Sequence, residues 1–386
     1  MGILDWVQSR YAQQERPGLC AEDFKQKWSA FVDCFVDSVH AREMPATPPP
    51  DEVSEPPTVL PAAERLVAIG DLHGDIEKTR QAFRLGGLTD EKDKWVGGDT
   101  VCVQVGDQLD RGDHEIQILY FLERLQREAK EAGGALHVIN GNHETMNMAG
   151  RFRYCTQGAM KSFLRWNLMQ SVGQSLKSRC DCSMGNSRAG DSDGFPQEYT
   201  PLLGSMARWA ALRPGGPVAR RFMARNSTVL QVGSTVFVHG GILPSHVNYG
   251  LDRINRETQE WMLGSGPSQR IPRFLAGQSA VVWSRDYSNE DEQYCRCDKL
   301  QEALSMIPGA KRMVVGHTIQ EVGINSACDQ QVFRIDVGMS SGCGDNDVQV
   351  LEIRNDVEVQ QLSRAQNAPW SIKGLFDTLT RGPVPS

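Results

Sequence analysis

Apolar positions along the chain fall into a few distinct textures. Phe24, Trp28, Phe31, Phe35 and Val39 recur at spacings of three and four, which predicts an amphipathic helix within residues 1–44. Such a stripe is expected to pack on the main body, with docking of a partner as the other use of the same face. Pro45 to Pro50 and the acid-rich stretch Asp51 to Pro57 follow, so residues 45–63 read as a semi-extended, solvated linker.

From residue 64 short apolar runs take over. Leu66–Ile69, Val101–Val105, Leu136–Ile139, Val236–Val238 and Met313–Val315 each end in a small polar motif. Buried strands of a sheet covered on both faces read this way. Helical stretches at Ile76–Leu85 and His114–Ala132 lie between them, giving a βαβα order and an α/β sheet. Val332–Val337, Val348–Ile353 and Glu358–Leu362 alternate like strands of a second sheet. The fold expected for 64–363 is therefore α/β, a β-sandwich flanked by helices. Residues 151–225 break the rhythm as a helical insertion. Phe163–Leu176 and Thr200–Leu212 read as its helices, with a flexible, glycine-rich loop at 183–198. Residues 364–386 form a tail with little pattern beyond Trp370–Leu379, and no internal repeat is visible.

Charge narrows the function classes. The 386 residues carry a net charge of −7, which argues against general nucleic-acid binding. No run of about 18 apolar residues exists, so no membrane span is expected. The start lacks signal-peptide order and is too acidic for a transit peptide, and Trp6 stands where a myristoylation motif wants Ser or Thr. A cytoplasmic location follows as the expectation. Of ten cysteines, Cys180/Cys182 and Cys295/Cys297 form C-x-C pairs that fit neither a zinc ribbon nor C-x-x-C. Reduced surface thiols, structural disulfides in an oxidising compartment and a thiolate zinc site are the open readings.

Chemistry concentrates at the strand ends. The five motifs are Gly70-Asp71-Leu72-His73-Gly74, Gly106-Asp107-Gln108-Leu109-Asp110-Arg111-Gly112, Gly141-Asn142-His143-Glu144, His239-Gly240-Gly241 and Gly316-His317. α/β sheets place their sites just beyond the carboxyl ends of strands. Carboxylate, amide and imidazole together suit two divalent ions such as Mn²⁺, Fe or Zn²⁺. Asp107 is the natural bridge; Asp71 and His73 would hold one ion, and Asn142, His239 and His317 the other. A water between two cations readily becomes a hydroxide nucleophile. Arg111 can fork onto phosphate oxygens, with Arg285 as the second arginine and Asn142 as a further phosphoryl contact. His143 is placed to protonate a leaving oxygen, with Asp110 holding its ring. Alone, each motif is an ordinary turn or cap; five in order are not. His40, His114, His137 and His246 match no motif and read as structural, and Asp75 reads as a helix cap.

These motifs resemble those of the phosphoprotein phosphatase family of metallophosphoesterases, through Asp110-Arg111-Gly112 and through Glu144. Ile335-Asp336-Val337-Gly338-Met339 stands where the eukaryotic Ser/Thr enzymes carry Ser-Ala-Pro-Asn-Tyr-Cys. Gly106–Asp113, Asn142–Asn147 and Arg151-Phe152-Arg153-Tyr154 resemble the bacterial-like branch more closely, the Shewanella-like protein phosphatases, in their non-plastid class. The resemblance implies a metallophosphoesterase sandwich and hydrolysis of phosphate monoesters on proteins, with phosphotyrosine the favoured substrate. Ser/Thr specificity and hydrolysis of dinucleoside polyphosphates are the alternatives, and a catalytically dead phosphopeptide scaffold is the rival outside enzymes. It also implies the mitochondrial intermembrane space as a second possible location, which would suit disulfides among Cys155, Cys180, Cys182, Cys295 and Cys297.

Overall fold

A computed structural model describes residues 22–41, 53–180 and 199–364. The linker segment 45–52, the loop at 183–198 and the Trp370–Leu379 stretch lie outside these residues.

Helix α1 (Glu22–Ala41) comes first, followed by strands β1 (Val59–Leu60) and β2 (Arg65–Ile69). Next come α2 (Ile76–Leu85), β3 (Val101–Gln104), α3 (Glu115–Glu131), β4 (Ala135–Val138) and α4 (Asn142–Met148). The insertion supplies α5 (Gln157–Ser178), α6 (Pro201–Leu212) and a π-helical turn at Ala219–Met223. Strands β5 (Val229–Val232) and β6 (Thr235–Val238) lead to α7 (Pro244–Tyr249), α8 (Leu251–Leu263) and α9 (Cys297–Met306). The chain then runs through β7 (Arg312–Val315), β8 (Asn325–Ala327), β9 (Val332–Arg334), β10 (Gln349–Arg354) and β11 (Glu358–Ser363).

Two sheets form a sandwich. One has the order β11-β10-β2-β3-β4, with β2, β3 and β4 parallel and β10 antiparallel to β2. The other has the order β1-β5-β6-β7-β9-β8, with β6, β7 and β9 parallel. Between them Val103, Val105, Phe237, Val314, Ile335 and Val350 share one apolar core. Each fully buried large side chain there contributes roughly 1.5–3 kcal/mol. On the far side of the second sheet, Val236, Val238 and Met313 pack with Ile254, Trp261, Leu300 and the insertion residues Phe163 and Trp166.

This corrects one expectation. The C-terminal strands do not form a second sheet of their own. Val332–Arg334 extends the sheet of β6 and β7, whereas β10 and β11 complete the sheet of β2 and β3. Register with distant strands decides this, and local alternation carries no such information.

Helix α1 docks on α3 and α5, and the aromatic stripe takes part only through half-buried Trp28 and Val39, with Trp28 Nε1 donating to Leu176 O in α5 at 3.0 Å. Val32, Cys34, Val36, Asp37 and His40 are buried, while Phe24, Phe31 and Phe35 remain 44–52% exposed. Asp37 explains the choice of face. Its carboxylate accepts from Tyr120 Oη at 2.7 Å and from both terminal nitrogens of Arg221 at 2.8 and 2.9 Å. A paired buried carboxylate can anchor a face that looks polar in sequence.

Cysteine pairing also departs from the simple readings. Cys297 at the start of α9 bonds Cys328 beyond β8, and Cys180 is disulfide-bonded too. Cys155 and Cys295 are free thiols. Cys328 lies in neither C-x-C pair, so it escaped the spacing argument. The bond closes a loop with a sequence separation of 31, which the chain-entropy relation values at about 3–4 kcal/mol. Cys297→Ser should therefore lower the thermal midpoint clearly in calorimetry, with β-sheet content at 25 °C unchanged; an unaltered midpoint would show the bond to be absent in solution.

Candidate metal centre

Asp71 and His73 follow β2, Asp107 to Arg111 follow β3, and Asn142 to Glu144 follow β4. His239 follows β6 and His317 follows β7. The carboxyl ends of parallel strands from both sheets therefore converge on one site. The motif loops are stitched to one another: Leu72 and His73 N–H donate to Asp107 O at 3.0 and 2.9 Å, and Gly74 N–H donates to Gln108 O at 3.0 Å. Asp75 caps α2, accepting from Lys78 N–H at 3.1 Å, as its position suggested.

Two groups of potential ligand atoms share Asp107. His73, Asp107 and His143 form one, and Asp107, His239 and His317 the other, each with atoms within 4.8 Å of one another. Asp107 Oδ2 stands 3.2 Å from His239 Nε2, 3.7 Å from His73 Nε2 and 3.8 Å from His143 Nε2. Asn142 Oδ1 lies 2.8 Å from His239 Nε2, and Asp71 Oδ2 lies 4.0 Å from His73 Nε2. All six residues expected to hold metal are thus brought to one buried place.

The site fits divalent ions on its own structure. His73 Nδ1 faces Leu109 O at 3.1 Å and His239 Nδ1 faces Val105 O at 2.9 Å. Donating there turns each Nε2 toward the other ligand atoms, and that of His239 faces Asn142 Oδ1 and Asp107 Oδ2, oxygens a cation would share with it. His317 Nε2 is buried with no hydrogen-bond partner. Burial drives His73 down to about 4 and His317 well below its ordinary range, so both rings are neutral, as ligands must be. Burial, Asp336 and Asp107 together raise Asp71, a crowding of carboxylates that cations relieve. The glycines keep the cradle open: a Cβ on Gly141 would lie 2.1 Å from Asp107 Oδ1, and one on Gly316 would lie 2.3 Å from Asp71 Oδ1. His73, Asp107, Asp110, Arg111 and His317 all hold positive φ between 44° and 69°. Such backbone persists only where the surroundings over-determine it.

Beside the ligands stands His143, whose Nδ1 lies 2.6 Å from Asp110 Oδ2. Burial opposes its charge, yet Asp107 and Asp110 outweigh that and raise its pKa above the ordinary value. Arg111 is exposed and stacks over the Tyr154 ring at 4.5 Å, which itself lies 5.1 Å from the His143 ring. Arg285 is also exposed, and its Nη1 donates to Thr318 Oγ1 at 2.6 Å, one residue beyond His317. A cavity of about 810 Å³ opens next to Arg285 and Trp283 and includes Met146, Arg151, Ile271 and Leu275 in its wall. Of the histidines read as structural, His40 stacks on Tyr120 and His246 Nδ1 accepts from Leu243 N–H at 3.1 Å.

Four residues here went unassigned in sequence. Glu144, read only as a family mark, accepts four backbone N–H groups, from Gly141, Asp107, Gln108 and Leu109, at 2.7–3.1 Å. It clamps two motif loops together. Asp336 is buried, and burial together with Asp107 raises it to about 6. It follows β9 closely, so the strand-end rule could have found it. Tyr154 and Arg208 complete the set; no local signal marks Arg208.

The calcineurin-like phosphoesterase family model matches residues 64–321. Shewanella-like protein phosphatase 2 of Arabidopsis thaliana is 46% identical over 357 residues, 90% of each chain. Shewanella-like protein phosphatase 1 of Plasmodium berghei is 27% identical, covering 72% of this chain and 67% of the relative. The solved cold-active protein-tyrosine phosphatase of a psychrophilic Shewanella species superposes with a TM-score of 0.57 at 19% identity, covering 83% of this chain and 87% of that one. The chain belongs to the calcineurin-like phosphoesterases, in the branch of Shewanella-like protein phosphatases, and is a phosphatase.

Glu144→Gln should test the clamp. One of its two oxygens becomes an NH₂ facing backbone donors, so the loops carrying Asp107 and Asn142 lose their common anchor. Metal affinity measured by titration calorimetry should fall about 10–100-fold, the range for outer-shell partners; an unchanged affinity would remove the clamp from the account.

Proposed function

We propose that this phosphatase acts on phosphoproteins, with phosphotyrosine as the favoured residue, at a centre of two divalent ions, manganese being the first choice. The sharing of Asp107 between two ligand groups, with His143 on one side, carries the reading. Asp71, His73 and Asp107 would hold one ion, and Asp107, Asn142, His239 and His317 the other, with Asp336 behind Asp71. Bound there, two divalent ions activate a water and neutralise phosphoryl charge.

The protein's own residues do the rest. Arg111 and Arg285 approach the phosphoryl group as forked donors, and neither has an acidic partner among the described residues, which leaves both free for it. Asn142 offers its amide to the same oxygens. His143 Nε2 faces the ligand cluster while Nδ1 is tied to Asp110, so the ring is aligned to give a proton to the departing oxygen. The Asp110 carboxylate at Nδ1 favours the protonated ring, the form a proton donor needs. Most of the rate then comes from positioning and charge stabilisation.

One observation favours phosphotyrosine over phosphoserine and phosphothreonine. Tyr154 carries the guanidinium groups of Arg111 and Arg153 over its ring, at 4.5 and 4.6 Å, and its ring centre lies 5.1 Å from that of His143, an aromatic and cationic border that suits a phosphorylated phenol. The cold-active Shewanella enzyme that shares the fold is a protein-tyrosine phosphatase, which agrees with this reading. The 810 Å³ cavity next to Arg285 gives room for flanking polypeptide. The exposed row Phe24, Phe31 and Phe35 on α1 is the face a docking partner would use. No described helix is long and apolar enough to cross a membrane. Because Cys297–Cys328 is bonded, the intermembrane-space location gains over the cytoplasm.

A kinetic panel of phosphotyrosine, phosphoserine and phosphothreonine peptides and diadenosine tetraphosphate tests the substrate class. Phosphotyrosine should give the highest kcat/KM, and faster cleavage of the nucleotide would overturn the proposal. His143→Asn should leave metal content intact and lower kcat on the phosphotyrosine peptide by about 10²–10⁴. An unchanged kcat would remove His143 from the mechanism.

A further inference from the structure

Helix α6, in the insertion, carries an arginine with no exposed surface. Arg208 is 0% exposed and is among the largest fully buried side chains of the protein. Phe163 and Phe152 hold its guanidinium carbon at 4.6 and 5.7 Å from their ring centres. Burying a cation this completely is unfavourable unless its donors are matched, and here they are. Nη2 donates to Asp110 Oδ1 at 3.1 Å, and both terminal nitrogens donate to the Glu115 carboxylate. Nε donates to Asn147 Oδ1 at 2.8 Å.

Each of these partners leads back to His143. Asp110 Oδ2 takes the His143 ring at 2.6 Å and the Asn147 amide at 2.9 Å. That same amide donates to the His143 carbonyl at 2.9 Å. Glu115 accepts from the Asp110 backbone N–H. Among the described residues, Arg208 is the one side chain hydrogen-bonded to Asp110, Glu115 and Asn147 together. With Oδ1 taken by Arg208 and Oδ2 by His143 and Asn147, the carboxylate of Asp110 cannot rotate without breaking a charged hydrogen bond in a dry setting. Nδ1 of His143 therefore has one orientation, and so does Nε2, the atom that faces the ligand cluster.

We infer that Arg208 is a positioning residue for proton donation by His143, and that the helical insertion completes the active site from behind rather than only covering it. The inference rests on the function proposed above. It makes a demand that a purely structural ion pair does not. Losing the aim of a proton donor hurts a reaction in proportion to how much its leaving oxygen needs the proton. A tyrosyl oxygen, whose phenol has a pKa of about 10, needs it far more than the acidic p-nitrophenol.

The test uses the full chain loaded with Mn²⁺. Arg208→Met is compared with Arg208→Met/Glu115→Gln, because the single change strands two buried carboxylates and the double change removes one of them. Expected for both is a kcat on a phosphotyrosine peptide lowered on the order of 10–100-fold, part of the range for a general acid. The kcat on p-nitrophenyl phosphate should fall less than about 3-fold, with KM and metal content unchanged. If the single variant does not fold, the double variant carries the comparison. Equal losses on the two substrates, or no loss on either, would overturn the inference while leaving the proposed function standing. An unaltered chain inactive on both would overturn the two together.

Discussion

The carboxylate of Asp107 is the constraint around which the rest is arranged. It is buried, and three imidazole nitrogens lie within 3.8 Å of its Oδ2. His239, foremost among its neighbours, and His143 hold it well below the ordinary carboxylate range, against strong desolvation. A charge kept ionised in so dry a place is useful to cations and costly without them. The neighbouring histidine nitrogens, the glycines that leave room for it and the carboxyl-end geometry of both sheets follow from that one requirement.

Holding such a residue takes structure that does no chemistry itself. Glu144 gathers four amide hydrogens from the loops after β3 and β4, so Asp107 and Asn142 move as one unit. The loop after β2 is hydrogen-bonded to the loop after β3 in turn. The sandwich brings His239 and His317 in from the second sheet. A third layer, the insertion, reaches the same place through Arg208. The centre is thus supported from three directions, and the backbone strain at His73, Asp107, Asp110, Arg111 and His317 is held by that support.

Much of this was legible in the chain. Apolar runs ending in Gly-Asp, Gly-Asn, His-Gly and Gly-His identified the strands and the residues just beyond them, because both follow from the local rule that sites form where strands end. Helices Ile76–Leu85 and Pro201–Leu212 lie where the chain reads as helical, with Asp75 and Thr200 as their caps. What was not legible depends on distant partners. Arg208 looks like any helical arginine until Glu115 and Asp110, 93 and 98 residues earlier, fold against it. The buried face of α1 was hidden because Asp37 sits on it, and Arg221 and Tyr120 make that tolerable. The assignment of β9 and β10 to different sheets is likewise a matter of pairing across the chain.

The central claim, that Asp107 joins two ions into a single centre, is tested most directly by electron paramagnetic resonance of the full chain titrated with Mn²⁺. Two ions roughly 3.5–4 Å apart and sharing a carboxylate are magnetically coupled. The account predicts a coupled multiline spectrum growing in up to two equivalents. Two independent six-line signals, or saturation at one equivalent, would contradict it.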